Sequence, residues 1–401
     1  QEKEDDLRIL TWLSSTDFGR QQTDHLRKWQ PGTVQWLLDS SEYQKWVQEK
    51  GQILFCPGIP GAGKTVCASV VVNDLTQRFS SNTNIGIVCV YCSYTQKDSQ
   101  YTINLLGGIL KQLCQRRGSV PQVVQNLYIS HQNEQTGPQY NGIMNALESH
   151  LRDFSHVMIV VDALDEWQPP PDDRFNFVDE LLRIHSEWQV NLFVTSRFVP
   201  AIEAKFQGYP CCKIRAHQDD IYRYIEDYRW PLPNLVGGRP DLQQDIKSCV
   251  CQAAHGMFLL AQFYLTSLGD KTTPREIKDA LRVFQDRAER KDHDRNLDML
   301  AEAYDEVMAR INQQGESYRR KAHQVLSWVC YAKRELYVRE LQCGVAVREN
   351  EFDVDKDDLS DISLLLSICC GIVVLSEATQ RIQLVHYTAQ DYFILKQERW
   401  F

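Results

Sequence analysis

Residues 53–71 read ILFCPGIPGAGKTVCASVV. A short apolar run meets a glycine-rich turn, then Lys64 and Thr65, then small and apolar residues. Gly58, Gly63, Lys64 and Thr65 satisfy G-x-x-x-x-G-K-[ST], and a place between a strand and a helix gives that pattern its meaning. Glycines let successive backbone N–H groups turn inward on phosphate oxygens without a Cβ clash. The run Gly58, Ile59, Pro60, Gly61, Ala62, Gly63, Lys64, Thr65 and Val66 is therefore expected to hold a nucleotide phosphate. Lys64 would bring a point charge to the outer phosphates, and Thr65 would offer its hydroxyl to Mg²⁺. The helix that starts there adds its positive end. The competing explanation, a glycine-rich turn and nothing more, does not account for this context.

On both sides of the turn the pattern alternates. Strands are expected at Ile53–Cys56, Ile85–Tyr91, Val157–Val161 and Asn191–Thr195, and helices at Lys64–Arg78, Ile103–Arg116, Tyr140–Phe154 and Phe175–Glu187. Apolar strands alternating with helices predict an α/β P-loop NTPase domain over 51–215, a parallel sheet with helices on both faces. Residues 1–50 read as a helical linker with a Pro31-Gly32 turn and Trp36, Leu37 and Trp46 as buried anchors. After about 215 strands become scarce. Helices at Asp219–Tyr228, Leu242–Ala254, Met257–Leu268 and Pro274–Phe284 predict a small helical domain over 216–297. The run DRAERKDHDRNLD that follows reads as a solvated connector or helix end. Helices over 298–328 and near Leu359–Ser367, a hairpin of Ile372–Leu375 with Ile382–Val385, and a last helix predict a winged-helix domain over 298–401.

Two further strand ends carry chemistry. In VMIVVDALDEW, 157–167, Asp162 follows five apolar residues and so sits at the carboxyl end of a buried strand, where ligands bind in such sheets. A carboxylate there can hold Mg²⁺ through water. Asp165 and Glu166 either orient an attacking water or form a helix-start charge pair. Ala163 puts no acid directly after Asp162. In NLFVTSRF, 191–198, Thr195, Ser196 and Arg197 reach the same edge. Arg197 either reads a γ-phosphate or pairs with a carboxylate. Cys89-Val90-Tyr91-Cys92 is C-x-x-C without a second pair, so a buried structural role outweighs zinc or redox chemistry.

Composition narrows the class. The 401 residues predict two to four compact units, and 43% apolar with 24% charged residues is the balance of a globular chain. A net charge of −9 gives nucleic-acid binding no global support, and acidic ENEFDVDKDDLSD argues against a DNA-reading winged helix. Thirteen cysteines without a small-domain framework favour a reducing, cytoplasmic setting, as does the absence of N-x-[ST]. No apolar run reaches the ~18 residues of a membrane span.

These elements together resemble the NACHT family of signalling NTPases, within the STAND class. The acidic D-A-L-D-E at 162–166 is the most specific feature. PGTVQWLL, GIPGAGKT, VTSR, HGMFLLA and LVHYTAQDYF follow in the family's order, over roughly 25–395. The wording is similar to that of fungal NOD-like receptor proteins built with ankyrin or WD repeats. The resemblance implies ATP/ADP with Mg²⁺, and a contact of His386 with the β-phosphate of ADP, in a setting completed by Gln390, Asp391 and Tyr392. Taken alone, His386 is one histidine after a strand. Many STAND proteins carry G-x-P where this chain has Gly256-Met257-Phe258; Phe258 either stacks on the base or fills the core. The resemblance further implies a signalling switch: ADP closes the molecule, ATP exchange permits opening and homo-oligomerisation, and slow ATPase turnover resets it. It implies an N-terminal effector and C-terminal repeats in a longer chain that starts before Gln1, and roles in innate immunity or programmed cell death. The alternatives are a turnover ATPase that remodels other proteins and a nucleotide-controlled DNA-binding regulator.

Overall fold

The computed structural model describes residues 2–93, 100–134, 137–227, 234–288, 296–347, 356–376 and 379–400. It forms two compact units: Gln1–Gly58 with Lys64–Ile214, and Ile59–Gly63 with Arg215–Phe401.

The first unit is built on four parallel strands, β1 (Ile53–Pro57), β2 (Ile85–Tyr91), β3 (His156–Asp162) and β4 (Asn191–Ser196), in the order β1-β4-β3-β2. Nearly every residue of β1, β3 and β4 is buried. Consecutive side chains point to opposite faces, so unbroken burial means that both faces are covered. That is why these strands read as continuous Val/Ile/Leu runs. The helix Lys64–Arg78 starts at the residue expected and packs against β2, β3 and β4. A fifth extended stretch runs parallel along the free edge of β1. There Phe55 N donates to Pro210 O (3.0 Å), Cys212 N to Phe55 O (2.9 Å) and Ile214 N to Pro57 O (2.8 Å). Its sequence, PCCKI, is too short and too mixed in polarity to signal a strand.

The N-terminal 50 residues belong to this unit. Trp46, 1% exposed, donates from Nε1 to Leu192 O at 2.9 Å, and Asn191 Nδ2 binds the carbonyls of Trp46 and Glu49. Leu37 is buried as expected, but Trp36 is half-exposed. Gln35–Leu38 is a single helical turn, in which neighbours stand about 100° apart and Leu37 takes the more buried direction. Tyr43 is the anchor missed: fully buried, it donates its hydroxyl to Asp74 Oδ2 at 2.6 Å. Tyr43→Phe is expected to lower stability by about 1.5 kcal/mol, the loss of a hydrogen bond to a charged acceptor. Urea unfolding of the two proteins measures it, and equal midpoints would refute it. The helix Gln122–Glu134 also had no clear periodic signal.

The second unit is helical at first: Gln218–Asp227, Pro240–Ala253, Phe258–Leu268 and Pro274–Ala288. They share a core that includes Leu242, Ile246, Val250, Leu260, Tyr264, Ile277 and Phe284. The helix Asn296–Gln313 begins two residues before the expected start of the winged-helix part. Then follow Glu316–Tyr331, β5 (Leu336–Tyr337), Val338–Ala346, Ile362–Ile368, the hairpin β6 (Val373–Ser376) and β7 (Arg381–Leu384), and Tyr387–Leu395. The small sheet is antiparallel in the order β5-β7-β6. Helices closed by such a hairpin are the winged helix the sequence predicts. Most of the charged run after 285 and of the acidic run after 348 lies outside the described residues. Among the described residues no helix is long and apolar enough to cross a membrane.

Candidate nucleotide site

Gly58 directly follows β1, and its N–H donates to Ser196 O at 2.9 Å. A Cβ here would meet Ile214 O at 2.6 Å, so only glycine fits between the strands. Gly61 and Gly63 hold φ of +70° and +92°, the left-handed region that turns successive N–H groups to one side. The stretch Ile59–Gly63 groups with the second unit. Ile59 and Phe258 both pack on that unit's core, Pro60 and Ala62 are buried, and Ala62 N donates to Ile59 O at 3.3 Å. Leu259 N donates to Gly61 O at 3.4 Å, and a Cβ on Gly63 would lie 3.2 Å from the Phe258 ring. Phe258 is half-buried and edge-on to Tyr224 at 6.0 Å. Its observed partners thus include the second unit's core, the glycine loop and Tyr224, and stacking on a base stays a proposal.

On the first unit, Lys64 opens its helix with a buried amine that donates to Gly58 O at 3.0 Å. Burial pushes its pKa down, opposed by the charges of Asp165, Asp162 and Glu166. Asp162 is 2% exposed at the end of β3. Burial raises its pKa, against hydrogen bonds from the Thr195 and Thr65 hydroxyls and the charge of Lys64. Thr195 Oγ1 donates to Asp162 Oδ1 at 2.6 Å while accepting from Ala163 N at 2.9 Å. Thr195 was not singled out as a site residue. The Thr-Ser-Arg ending of β4 was the available signal, but only the place of β4 between β1 and β3 gives it meaning. Val66 stands in the helix's first turn and accepts from Ser69 Oγ at 2.8 Å.

Ala163 adopts φ +53°, uncommon for a residue with a Cβ. It reverses the chain into the turn Leu164–Glu166 and brings Asp165 back toward β4. Arg197 then grips Asp165 twice, from its backbone N (2.8 Å) and from Nε. The Asp165 carboxylate is 2% exposed and the Arg197 side chain 33%. Of the two alternatives for Arg197, pairing with a carboxylate is the contact observed. Asp165 is held as that partner, and Glu166 lies half-buried beside it. His386 belongs to the second unit and caps the helix Tyr387–Leu395. Its Nδ1 accepts from Thr388 N at 3.3 Å and lies 2.8 Å from Thr388 Oγ1, which meets Tyr304 OH at 2.7 Å. This fixes the ring's orientation; its contact with a phosphate stays a proposal. Cys89 and Cys92 are both buried.

The residues fit a magnesium nucleotide. Glycine is required on steric grounds at Gly58, and two left-handed glycines aim amides inward. The buried ammonium suits phosphate, and the hard oxygens of Thr65 and Asp162, close enough to hydrogen-bond, suit Mg²⁺. Among the described residues no cluster of three metal-binding side chains occurs.

Fold and site together define a P-loop NTPase that carries a winged helix. Residues 32–197 match the family model described as Nephrocystin 3, N-terminal, and residues 308–399 match GPI inositol-deacylase, winged helix domain. In this order the two fit a NACHT-type NTPase of the STAND class with a winged helix. No curated protein matches the chain significantly by sequence. Solved structures with a similar outline include Cdc6p from Pyrobaculum aerophilum, at 13% identity, 93% of this chain, 96% of that one and a TM-score of 0.36. The Aeropyrum pernix ORC1 protein in complex with DNA shares 15% identity over 94% of this chain and 93% of its own, with a TM-score of 0.36. A Walker-type ATPase of Pyrococcus abyssi shares 8% over 88% and 93%, with a TM-score of 0.38. Scores of this size carry no argument about residues or function.

Proposed function

We propose that this P-loop NTPase is a nucleotide-dependent signalling switch rather than an engine. ADP with Mg²⁺ holds the closed state, exchange for ATP permits opening and self-association, and slow hydrolysis resets it. Support comes chiefly from the Asp165 carboxylate, which faces Arg197 in a buried pair instead of presenting itself to a water. Ala163 supplies no acid beside Asp162, so rapid hydrolysis lacks an obvious base. In this reading Gly58–Gly63 with Lys64 and Val66 bind phosphate, Thr65 and Asp162 hold Mg²⁺, Phe258 stands at the base and His386 at the β-phosphate. A 1:99 population ratio is reversed by about 5.5 kcal/mol of differential binding, which a polyphosphate with several charged contacts can supply. Cytoplasmic location, an effector and repeats in a longer chain, and a role in fungal immunity or cell death belong to the same proposal.

Denaturing the purified protein and identifying the released nucleotide tests it. About one ADP per chain is expected, and His386→Leu should cut that retention about tenfold or more and enlarge the particle. An empty site with turnover above about 1 s⁻¹, the ordinary enzyme range, would instead mark an ATPase engine. Tight DNA binding that falls steeply with salt would mark the DNA-binding alternative.

A further inference from the structure

Five of the thirteen cysteines lie away from apolar packing in some degree or touch another thiol, and one pair stands out by register. The edge stretch 210–214 runs parallel to β1 with Phe55 opposite Cys211 and Gly58 opposite Ile214. The same register sets Cys56 opposite Cys212. Side chains alternate along both stretches, so Cys56 and Cys212 point to one face, while Cys211 shares the other with Phe55. Adjacent strands lie about 4.8 Å apart, inside the ~4.4–6.8 Å Cα separation that a disulfide spans. Both thiols are free.

We propose that Cys212 and Cys56 form a peroxide-sensitive dithiol site, with Cys212 as the attacking thiol and Cys56 as the resolving one. The two environments differ. Cys212 is half-buried, so a small oxidant reaches it, whereas Cys56 is fully buried. The hydrogen bond from Cys56 pulls the Cys212 pKa down, and burial pushes that of Cys56 well up. A more acidic, reachable thiol beside a shielded partner is the arrangement of redox-sensing cysteines. The Cys212 thiolate attacks one peroxide oxygen; an S–O bond forms, the O–O bond breaks and hydroxide leaves. Cys212 is thereby oxidised by two electrons to a sulfenic acid as the peroxide is reduced. The Cys56 thiol then attacks the Cys212 sulfur. An S–S bond forms, the S–O bond breaks and water leaves with the Cys56 proton. A dithiol reductant reverses the bond. The product would pin the edge stretch to β1, two residues before Gly58. The site itself does not rest on the switch reading.

Titrating the folded chain with hydrogen peroxide, blocking residual thiols under denaturing conditions and mapping peptides by mass spectrometry tests this. The expected product is one cross-link, Cys56 to Cys212, with two thiols lost per chain and regained with dithiothreitol. Cys211→Ser should leave it intact. Cys212→Ser should abolish it and slow peroxide consumption at least tenfold. Cys56→Ser should instead trap Cys212 as a sulfenic acid that dimedone labels. Bonds from Cys56 to Cys67, bonds from Cys211 between chains, or oxidation of Cys212 to higher acids with Cys56 still alkylated would each overturn the proposal. So would a Cys212→Ser chain that, still folded by circular dichroism, consumes peroxide unchanged.

Discussion

Lys64→Ala is expected to weaken ADP and ATP binding at least 100-fold, the largest loss from any single change at the loop. Hydrogen bonds to charged groups contribute about 1.5–3 kcal/mol each, and 100-fold corresponds to about 2.7 kcal/mol. Lys64 is suited to carry that share. Its amine is buried, donates to the carbonyl of Gly58, and feels the charges of Asp165, Asp162 and Glu166. A polyphosphate brought beside those three carboxylates without the ammonium would meet uncompensated negative charge. Titration with a fluorescent ADP analogue measures the effect, with circular dichroism checking that the fold persists. Affinity within threefold of the parent would sink the phosphate role of Lys64.

Arg197→Ala is expected to cost about 3 kcal/mol of stability in the absence of nucleotide, because it strands a buried carboxylate. An exposed ion pair is worth at most ~1 kcal/mol, so the magnitude separates the two situations. The Asp165 side chain is 2% exposed and keeps the backbone N–H of residue 197 and the nearby charge of Lys64, and with the partial exposure of Arg197 this holds the loss to the lower end of the buried range. Urea unfolding of nucleotide-free protein reads it directly. If Arg197 served only to sense a γ-phosphate, that curve would not move. A double cycle with Asp165→Ala should return most of the loss as coupling between the two side chains.

Much of the fold was legible because its signals are local. The four strands of the parallel sheet announced themselves as apolar runs, and the helix after the glycine turn began where expected. What was missed had weak local signals. Trp36 has the chemistry of an anchor, yet it is only partly buried beside the fully buried Leu37. The stretch 210–214 carries too little apolar pattern to stand out, yet its bonds to β1 create both the steric demand for Gly58 and the Cys56–Cys212 pair. Thr195 looked like a strand-end polar residue until β4 placed it against Asp162.

The division has a physical cause. The sequence by itself determined that Gly58–Thr65 turns from a strand into a helix, and that Asp162 ends a buried strand. Backbone conformation and period-two burial are written within a few neighbouring residues. Only the tertiary structure decided the partners: Arg197 for Asp165, Thr195 for Asp162, Leu259 and Phe258 for the glycine loop, and Cys212 for Cys56. Those pairings follow from strand order, register and helix packing, which join residues 32 to 198 positions apart, and no local periodicity encodes them.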